Sequence, residues 1–264
     1  MLLATWNVNS IRARLPAVVK WLALRRPDVV CLQEIKCVDE QFPCEPFEDL
    51  GYACAIFGQK TYNGVAILAK AGVEDVARGL PGDPGDDESR VIAATVGDLR
   101  VVNAYVVNGR QVGHEKYHYK LSWLARLARL VQAERAAHEQ VAVVGDFNVT
   151  FDDRDVARPE AWHEQILCST PEREALAGVV AAGVADSLRR FTQDKGPYTW
   201  WDFKTRGFER GDGLRIDHVL LSPAALERCE RVDVDVEVRA ASGASDHAPV
   251  VATLRDAGGP AASG

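Results

Sequence analysis

Short apolar runs alternate with amphipathic stretches along most of the chain. The runs predict β-strands over 2–8, 29–33, 52–57, 64–69, 91–96, 100–107, 141–145, 215–221, 231–238 and 249–254. Short runs rich in Val, Ile and aromatic residues, bounded by turn formers, suit a pleated and largely buried surface. Val232, Val234, Val236 and Val238 alternate with polar residues, the period of a sheet with one wet face. Helices are predicted over 15–25, 115–138 and 171–182. In the second of these, Tyr117, Leu121, Leu124, Ala128 and Val131 recur at helical spacing and form a core-facing stripe. Many strands with few covering helices predict an α/β fold, a four-layered sandwich of two packed, mostly antiparallel β-sheets flanked by helices.

Nothing rich in Gly, Ser or Pro divides the 264 residues into two domains. The sharpest shift, 81–88, reads as one polar loop between strands, and 256–264 reads as a flexible tail after a single domain over 1–255. No apolar run approaches the roughly 20 residues that span a bilayer, and the opening segment meets Asn7 too early for a signal-peptide core. The six cysteines form no C-x-x-C pair, as expected of reduced thiols in a cytoplasmic protein.

The formal charge of -7 bears on partners. Phosphates repel an acidic surface, which speaks against nucleic acid. A metal-dependent nuclease must nevertheless carry carboxylates for its cation, and local basic segments can form the contact. Such segments are Arg12 with Arg14, Arg110 with Lys116 and Lys120, and Arg206, Arg210 and Arg215.

Chemistry concentrates where the strands stop. One run ends in Asn7, another in Gln33-Glu34, another reaches Tyr105, and another ends in Gly145-Asp146-Phe147-Asn148. A lone Asp after a strand is usually a helix cap or a turn former. Glu34, Asp146, Asp217 and Asp246, accompanied by Asn7, Asn148 and His247, make coincidence a poor account. Oxygen donors without thiolates suit a hard cation, Mg²⁺ or Mn²⁺, and that ion implies phosphoryl chemistry. Of the six histidines, His247 stands in a turn leading into the last apolar run. There an imidazole oriented by a carboxylate such as Asp217 can act on a phosphate. His218 follows Asp217, and strand alternation turns the two to opposite faces.

These segments resemble the exonuclease III family of apurinic/apyrimidinic endonucleases. The residues that carry the resemblance are Thr5-Trp6-Asn7-Val8-Asn9-Ser10-Ile11-Arg12-Ala13-Arg14, Leu32-Gln33-Glu34-Ile35-Lys36, Gly145-Asp146-Phe147-Asn148, Gly213-Leu214-Arg215-Ile216-Asp217 and Ser245-Asp246-His247-Ala248-Pro249-Val250. Three of the motifs (LQE, GDxN and SDH) are shared across the wider endonuclease/exonuclease/phosphatase superfamily; the N-S-x-R-A-R opening and the GLRID block are narrower.

The resemblance implies Mg²⁺-dependent hydrolysis on the 5′ side of abasic sites, with 3′→5′ exonuclease and 3′-phosphodiesterase activity on blocked ends of double-stranded DNA, by a monomer. Asn7, Glu34 and Asp246 would hold the metal, with Asn9 nearby. Asp146 would activate water, Asn148 would position it or the phosphate, and His247 oriented by Asp217 would bond the phosphate together with Tyr105. Trp200 and Leu214 would line the slot for the extruded abasic sugar, and Asn108, Arg12, Lys36 and Arg215 would contact DNA. The chain departs from the family after Tyr105, where Val107 stands in place of a common Pro while Asn108 keeps the amide position. Two rival readings share parts of this pattern: a DNase I-like or lipid/inositol phosphodiesterase, and a DNA-binding module that has lost catalysis.

Overall fold

A computed structural model describes residues 1–82, 88–241 and 243–256. In chain order it runs through β1 (Leu2–Asn7), α1 (Ile11–Arg25), β2 (Val29–Gln33), α2 (Glu45–Glu48), β3 (Ala53–Phe57), β4 (Val65–Ala69), β5 (Glu74–Arg78), β6 (Val91–Val96) and β7 (Leu99–Tyr105). There follow α3 (Glu115–Ala137), β8 (Val141–Asp146), α4 (Pro159–Trp162), α5 (Thr170–Ala181) and β9 (Ala185–Asp186). The last elements are β10 (Asp217–Leu221), α6 (Pro223–Arg228), β11 (Cys229–Val234), α7 (Val236–Arg239) and β12 (Val250–Leu254).

The strands form two six-stranded sheets, ordered β11-β12-β1-β2-β4-β3 and β5-β6-β7-β8-β10-β9. Each is antiparallel except for one central parallel pair, β1 with β2 and β7 with β8. Apolar residues from the facing sides of both sheets, among them Leu3, Val29, Ile67, Ile92, Val101, Val144 and Val219, pack into one inner core. The outer side of the first sheet lies under α1 through Trp6, Val18, Trp21 and Leu22. That of the second lies under α3 and α5 through Trp123, Leu127, Val131, Leu176 and Val179. The result is the expected four-layer sandwich.

Local chemistry sets the helix starts. Ser10 caps α1 by accepting from the Ala13 amide, and the His114 ring caps α3 by accepting from Lys116 N. Ser169 and Glu172 form a reciprocal capping box on α5. Between the sheets lies a buried amide network. Gln33 Nε2 donates to Thr5 Oγ1 at 2.9 Å and to Asn103 Oδ1 at 2.7 Å, while Asn103 Nδ2 donates to the carbonyls of Leu32 and Ala66 at 2.9 Å each. Asn103 therefore ties β7 to both β2 and β4 across the inner core, immediately behind the strand end that carries Glu34.

Several expectations need correction. The run predicted as a strand over 231–238 is strand only to Val234; Val236 and Val238 belong to α7. The break falls at Asp235, whose carboxylate accepts from Trp21 Nε1 at 2.8 Å and Arg25 Nε at 3.0 Å, turning the chain toward α1. The strand predicted to begin at Arg215 begins at Asp217, because Thr199 Oγ1 takes the amides of Ile216 and Asp217 in place of a neighbouring strand. Edge strand β5 and the two-residue β9 carry no strong apolar signal and were not predicted. Part of the predicted loop, 83–87, and the tail from 257 lie outside the described residues. Among the described residues no helix is long and apolar enough to cross a membrane.

Candidate active site

The ends of β1, β2, β7 and β8 and the start of β10 meet at one rim. Parallel pairing sets Asn7 beside Gln33, the residue before Glu34, and sets Tyr105 beside Asp146. Antiparallel pairing then brings Asp217 opposite Asp146. Gly145 makes this register possible. At its φ of +142° any Cβ would lie 1.9 Å from the Ala104 carbonyl oxygen, so only glycine lets β8 pass β7 as Asp146 is delivered. The loops leaving the rim are held in left-handed conformations unusual for residues other than glycine, at Asn9, Glu34, Lys36 and Asn148. Such backbone persists where its surroundings fix it.

The side chains interlock across both sheets. Asn7 Nδ2 donates to Glu34 Oε1 at 2.8 Å and to Asp146 Oδ2 at 2.9 Å, joining a carboxylate from each sheet. Asn148 donates from its backbone to Asp146 Oδ1 at 2.9 Å and from Nδ2 to Oδ2 at 3.2 Å. Asn108 Nδ2 reaches Asn148 Oδ1 at 3.1 Å. His247 Nδ1 faces the Asp217 oxygens at 2.9 and 3.1 Å, and its Nε2 lies 3.7 Å from Asp146 Oδ2. His218 lies on the other face of β10, bonded to the Val149 carbonyl at 2.8 Å, as strand alternation requires. The Tyr105 phenol bonds Glu34, and the Arg90 guanidinium lies 4.7 Å from the centroid of the Tyr105 ring.

Electrostatics follow from this burial. Desolvation pushes the Asp146 carboxyl up to about 7 against the pull of His247, with Asp217 and Glu34 adding repulsion. Burial alone would lower His247, yet the facing carboxylates of Asp217 and Asp146 raise it to about 10 and so favour the protonated ring. Burial, and then the neighbouring Glu34 carboxylate, push the Tyr105 phenol well above its ordinary value. Asp246 is held low despite burial, by His247 and by bonds from Asn9 Nδ2 and Trp200 Nε1 at 2.9 and 3.0 Å.

Donor atoms of Glu34, Asp146 and His247 lie within 4.8 Å of one another. Four carboxylates crowd the rim against His247, the Lys36 ammonium 2.8 Å from Glu34 Oε2, and the Arg239 guanidinium that acts on Asp246. That surplus of negative oxygen donors, with no thiol among them, fits a hard divalent cation. Of the expected ligands, Asn7 is bonded to Glu34 and Asp146, and Asp246 is the residue before His247. Asn7 turns its amide nitrogen to the two carboxylates and its Oδ1 to the Asn9 amide, while Asp246 reaches Glu34 through Asn9 and Lys36, whose Nζ donates to Asn9 Oδ1 at 2.5 Å, and reaches Asn7 through Ser245 Oγ.

Of the expected DNA contacts, Asn108 and Arg12 are exposed and Lys36 is partly so. Two others require correction. Arg215 is 1% exposed, with its guanidinium held by Asp155 at 2.7 and 2.9 Å and by Asp186 at 2.7 and 3.1 Å, so it braces the interior and does not face solvent. Leu214 is fully buried among Val156, Leu167, Cys168 and Ile216, and serves as a floor beneath the partly exposed Trp162, Ile166 and Trp200. Lys120, read from the sequence as part of a basic surface segment, is also fully buried. The Gln33–Asn103 network and Arg90 were missed. A glutamine next to Glu34 at the end of an apolar run was the one available signal for the former.

The sequence pattern of the endonuclease/exonuclease/phosphatase family matches residues 4–247, which include every rim residue above, and the chain belongs to that family. Within it, the sequence is 35% identical to exodeoxyribonuclease III of Haemophilus influenzae, over 95% of this chain and 98% of that protein. Among solved structures it is similar to a 3′ phosphatase from Neisseria bound to a product DNA hairpin, with 44% identity and a TM-score of 0.95 over 97% of this chain and 99% of that one. An AP endonuclease from Archaeoglobus fulgidus is 37% identical, with a TM-score of 0.91 over 96% and 99% of the two chains.

Proposed function

We propose that this protein is a divalent-metal-dependent DNA-repair nuclease that hydrolyses the phosphodiester 5′ to abasic sites and also removes nucleotides and phosphate groups from 3′ ends. The observation that carries the reading is the rim itself, where Asn7 joins Glu34 to Asp146 while Asp217 braces His247 against Asp146. Similarity to an exodeoxyribonuclease III, a 3′ phosphatase and an AP endonuclease supports the DNA substrate and both modes of attack.

Bound Mg²⁺ or Mn²⁺, held by Glu34 and a neighbouring carboxylate, would polarise the phosphate and neutralise its growing charge. The protein's groups divide the remaining work. Asp146, whose carboxyl is raised toward neutrality, takes the proton of the attacking water, and Asn148 fixes the orientation of that carboxylate. The carboxylates of Asp217 and Asp146 favour the protonated ring of His247, which suits it to donate to a phosphate oxygen. Asp217 holds its Nδ1 so that the Nε2 proton is the one offered. The Tyr105 phenol, kept protonated, donates from the β7 side. Trp162, Ile166 and Trp200 form an apolar wall against which a sugar lacking its base packs without steric conflict.

Gel-resolved products from three duplexes test this reading: one with a synthetic abasic site, one intact, and one ending in a 3′ phosphate. The expected result is incision 5′ to the abasic site and release of the terminal phosphate, both abolished by a chelator. Equal cleavage of abasic and intact duplexes would remove the repair assignment and leave a general phosphodiesterase.

A further inference from the structure

Lys120 projects from α3 into an interior where an unpaired ammonium would be strongly destabilising. Its Nζ donates to three acceptors: the Asn148 carbonyl at 2.7 Å, the Asn108 carbonyl at 3.2 Å, and the Glu172 carboxylate. Glu172 is equally buried, and it also accepts from Leu167 N at 3.1 Å and from Ser169 N and Oγ at 3.2 and 2.7 Å in the cap of α5. The ammonium therefore ties three segments to one point: the loop after β7, the loop after β8, and the start of α5.

We propose that Lys120 is a positioning residue for the amide pair Asn108 and Asn148, an inference that rests on the nuclease reading of the rim. Asn148 has a left-handed backbone, with φ of 51°, and its side chain is aimed at Asp146 and at the Val106 carbonyl. A left-handed asparagine keeps that aim only while both of its flanks are held. Its amide side is held by Asp146 Oδ1, and its carbonyl side by Lys120. The loop after β7 lacks a proline to stiffen it, and the bond from Lys120 to the Asn108 carbonyl supplies the missing restraint. A lysine suits the position because its compact, rotatable ammonium can point three donors in three directions, which a planar guanidinium cannot.

Three variants separate positioning from mere stability. Lys120→Met with Glu172→Gln removes both buried charges together. Glu172→Gln alone weakens the α5 cap and removes the counter-charge, but leaves the lysine nitrogen with two hydrogens for the two carbonyls even as a neutral amine, and so serves as the destabilised control. Lys120→Arg keeps a cation for Glu172 and decides the matter should the double variant fail to fold. Measured where each variant is folded, the double variant is expected to lose about 100-fold in kcat with KM little changed, the cost of an approximately 1 Å misplacement. Lys120→Arg is expected to lose at least about tenfold in kcat on the same scale, and Glu172→Gln to keep the kcat of the unaltered protein.

In the metal-free protein, the side-chain amide NMR signals of Asn108 and Asn148 should shift or broaden in the double variant and in Lys120→Arg, but not in the control. A kcat equal to that of the unaltered protein in the double variant, or in Lys120→Arg when the double variant does not fold, overturns the proposal. So do unmoved amide signals. If the unaltered protein cleaves none of the DNA substrates, the functional reading fails, and the NMR comparison still decides the role of Lys120.

Discussion

Two polar clusters meet at the start of β10 and differ in electrostatic balance. In the first, Asp155 and Asp186 are met by Arg215 and Arg189, with Arg189 Nη2 at 2.5 Å from Asp155 Oδ1. In the second, Glu34, Asp146, Asp217 and Asp246 face His247 and Lys36, with the Arg239 guanidinium also acting on Asp246. Arg215 and Asp217 are two residues apart, yet one completes the matched cluster and the other belongs to the unmatched one. Buried charge that is fully partnered holds the fold together, whereas buried charge left in surplus is ready for a cation and a phosphate.

The sharpest way to test that contrast is to neutralise one acid in each cluster. Asp146→Asn is expected to lower kcat on the order of 10³- to 10⁴-fold while leaving the metal-free protein at least as stable, because it removes repulsion. The assay is cleavage of an abasic duplex beside a thermal melt. Arg215→Met should do the reverse. Leaving Asp155 and Asp186 without their shared cation should cost about 3–5 kcal/mol of stability in denaturant titration, with kcat per folded molecule near that of the unaltered protein.

Acidity should split the clusters next. Asp146 and His247 both have raised pKa values, to about 7 and about 10, so the folded protein holds protons that the unfolded chain has released. Their contribution is full at low pH and is lost as pH rises, through about 7 for Asp146 and about 10 for His247. Asp155 behaves in the opposite sense. Burial raises it, but Arg215 and Arg189 more than offset that and hold it below its ordinary value. Its contribution is present at neutral pH and fades as pH falls through its depressed folded value. Melting the chelated protein across pH should show both limbs. Asp146→Asn should flatten the decline toward neutrality, and Arg215→Met the acid one; a pH-independent melt of the unaltered protein would contradict both assignments.

Metal addition should stabilise only the unmatched rim. At 100 times its dissociation constant, Mg²⁺ should raise stability by about 2.7 kcal/mol in the unaltered protein and in Arg215→Met, but not in Glu34→Gln. The smallest effect is expected at Lys36, whose pair with Glu34 is partly exposed. Lys36→Gln should change stability by less than about 1 kcal/mol, and a larger loss would show that the rim relies on this cation as the matched cluster relies on Arg215.

The central strands were legible in the sequence because they are buried on both faces and read as continuous apolar runs, as in Val141–Asp146. Glu74–Arg78 was not, since an exposed edge strand needs no apolar signal. Val236 and Val238 kept a strand's alternation but follow Asp235, and the pull of Trp21 and Arg25 on Asp235 is a tertiary fact. At the rim, strand ends advertised Asn7, Glu34, Asp146 and His247 because a polar residue interrupting an apolar run is conspicuous. Arg215 and Lys120 misled for the converse reason: a basic residue in a polar stretch looks solvated until its buried acidic partners, distant in sequence, are known. The fitness of Gly145 was likewise invisible until Ala104 was placed beside it.

The pairing of β1 between β12 and β2 has a consequence for synthesis. Leu2–Thr5 wait for Val250–Thr253 before that side of the strand is covered. At the roughly 5–20 residues per second of a ribosome, that delay is on the order of ten seconds or more. Until then a nascent polypeptide displays an uncovered strand, which makes it a natural client for chaperones. It also carries Glu34 and Asp146 before the turn that brings His247 beside them has been made.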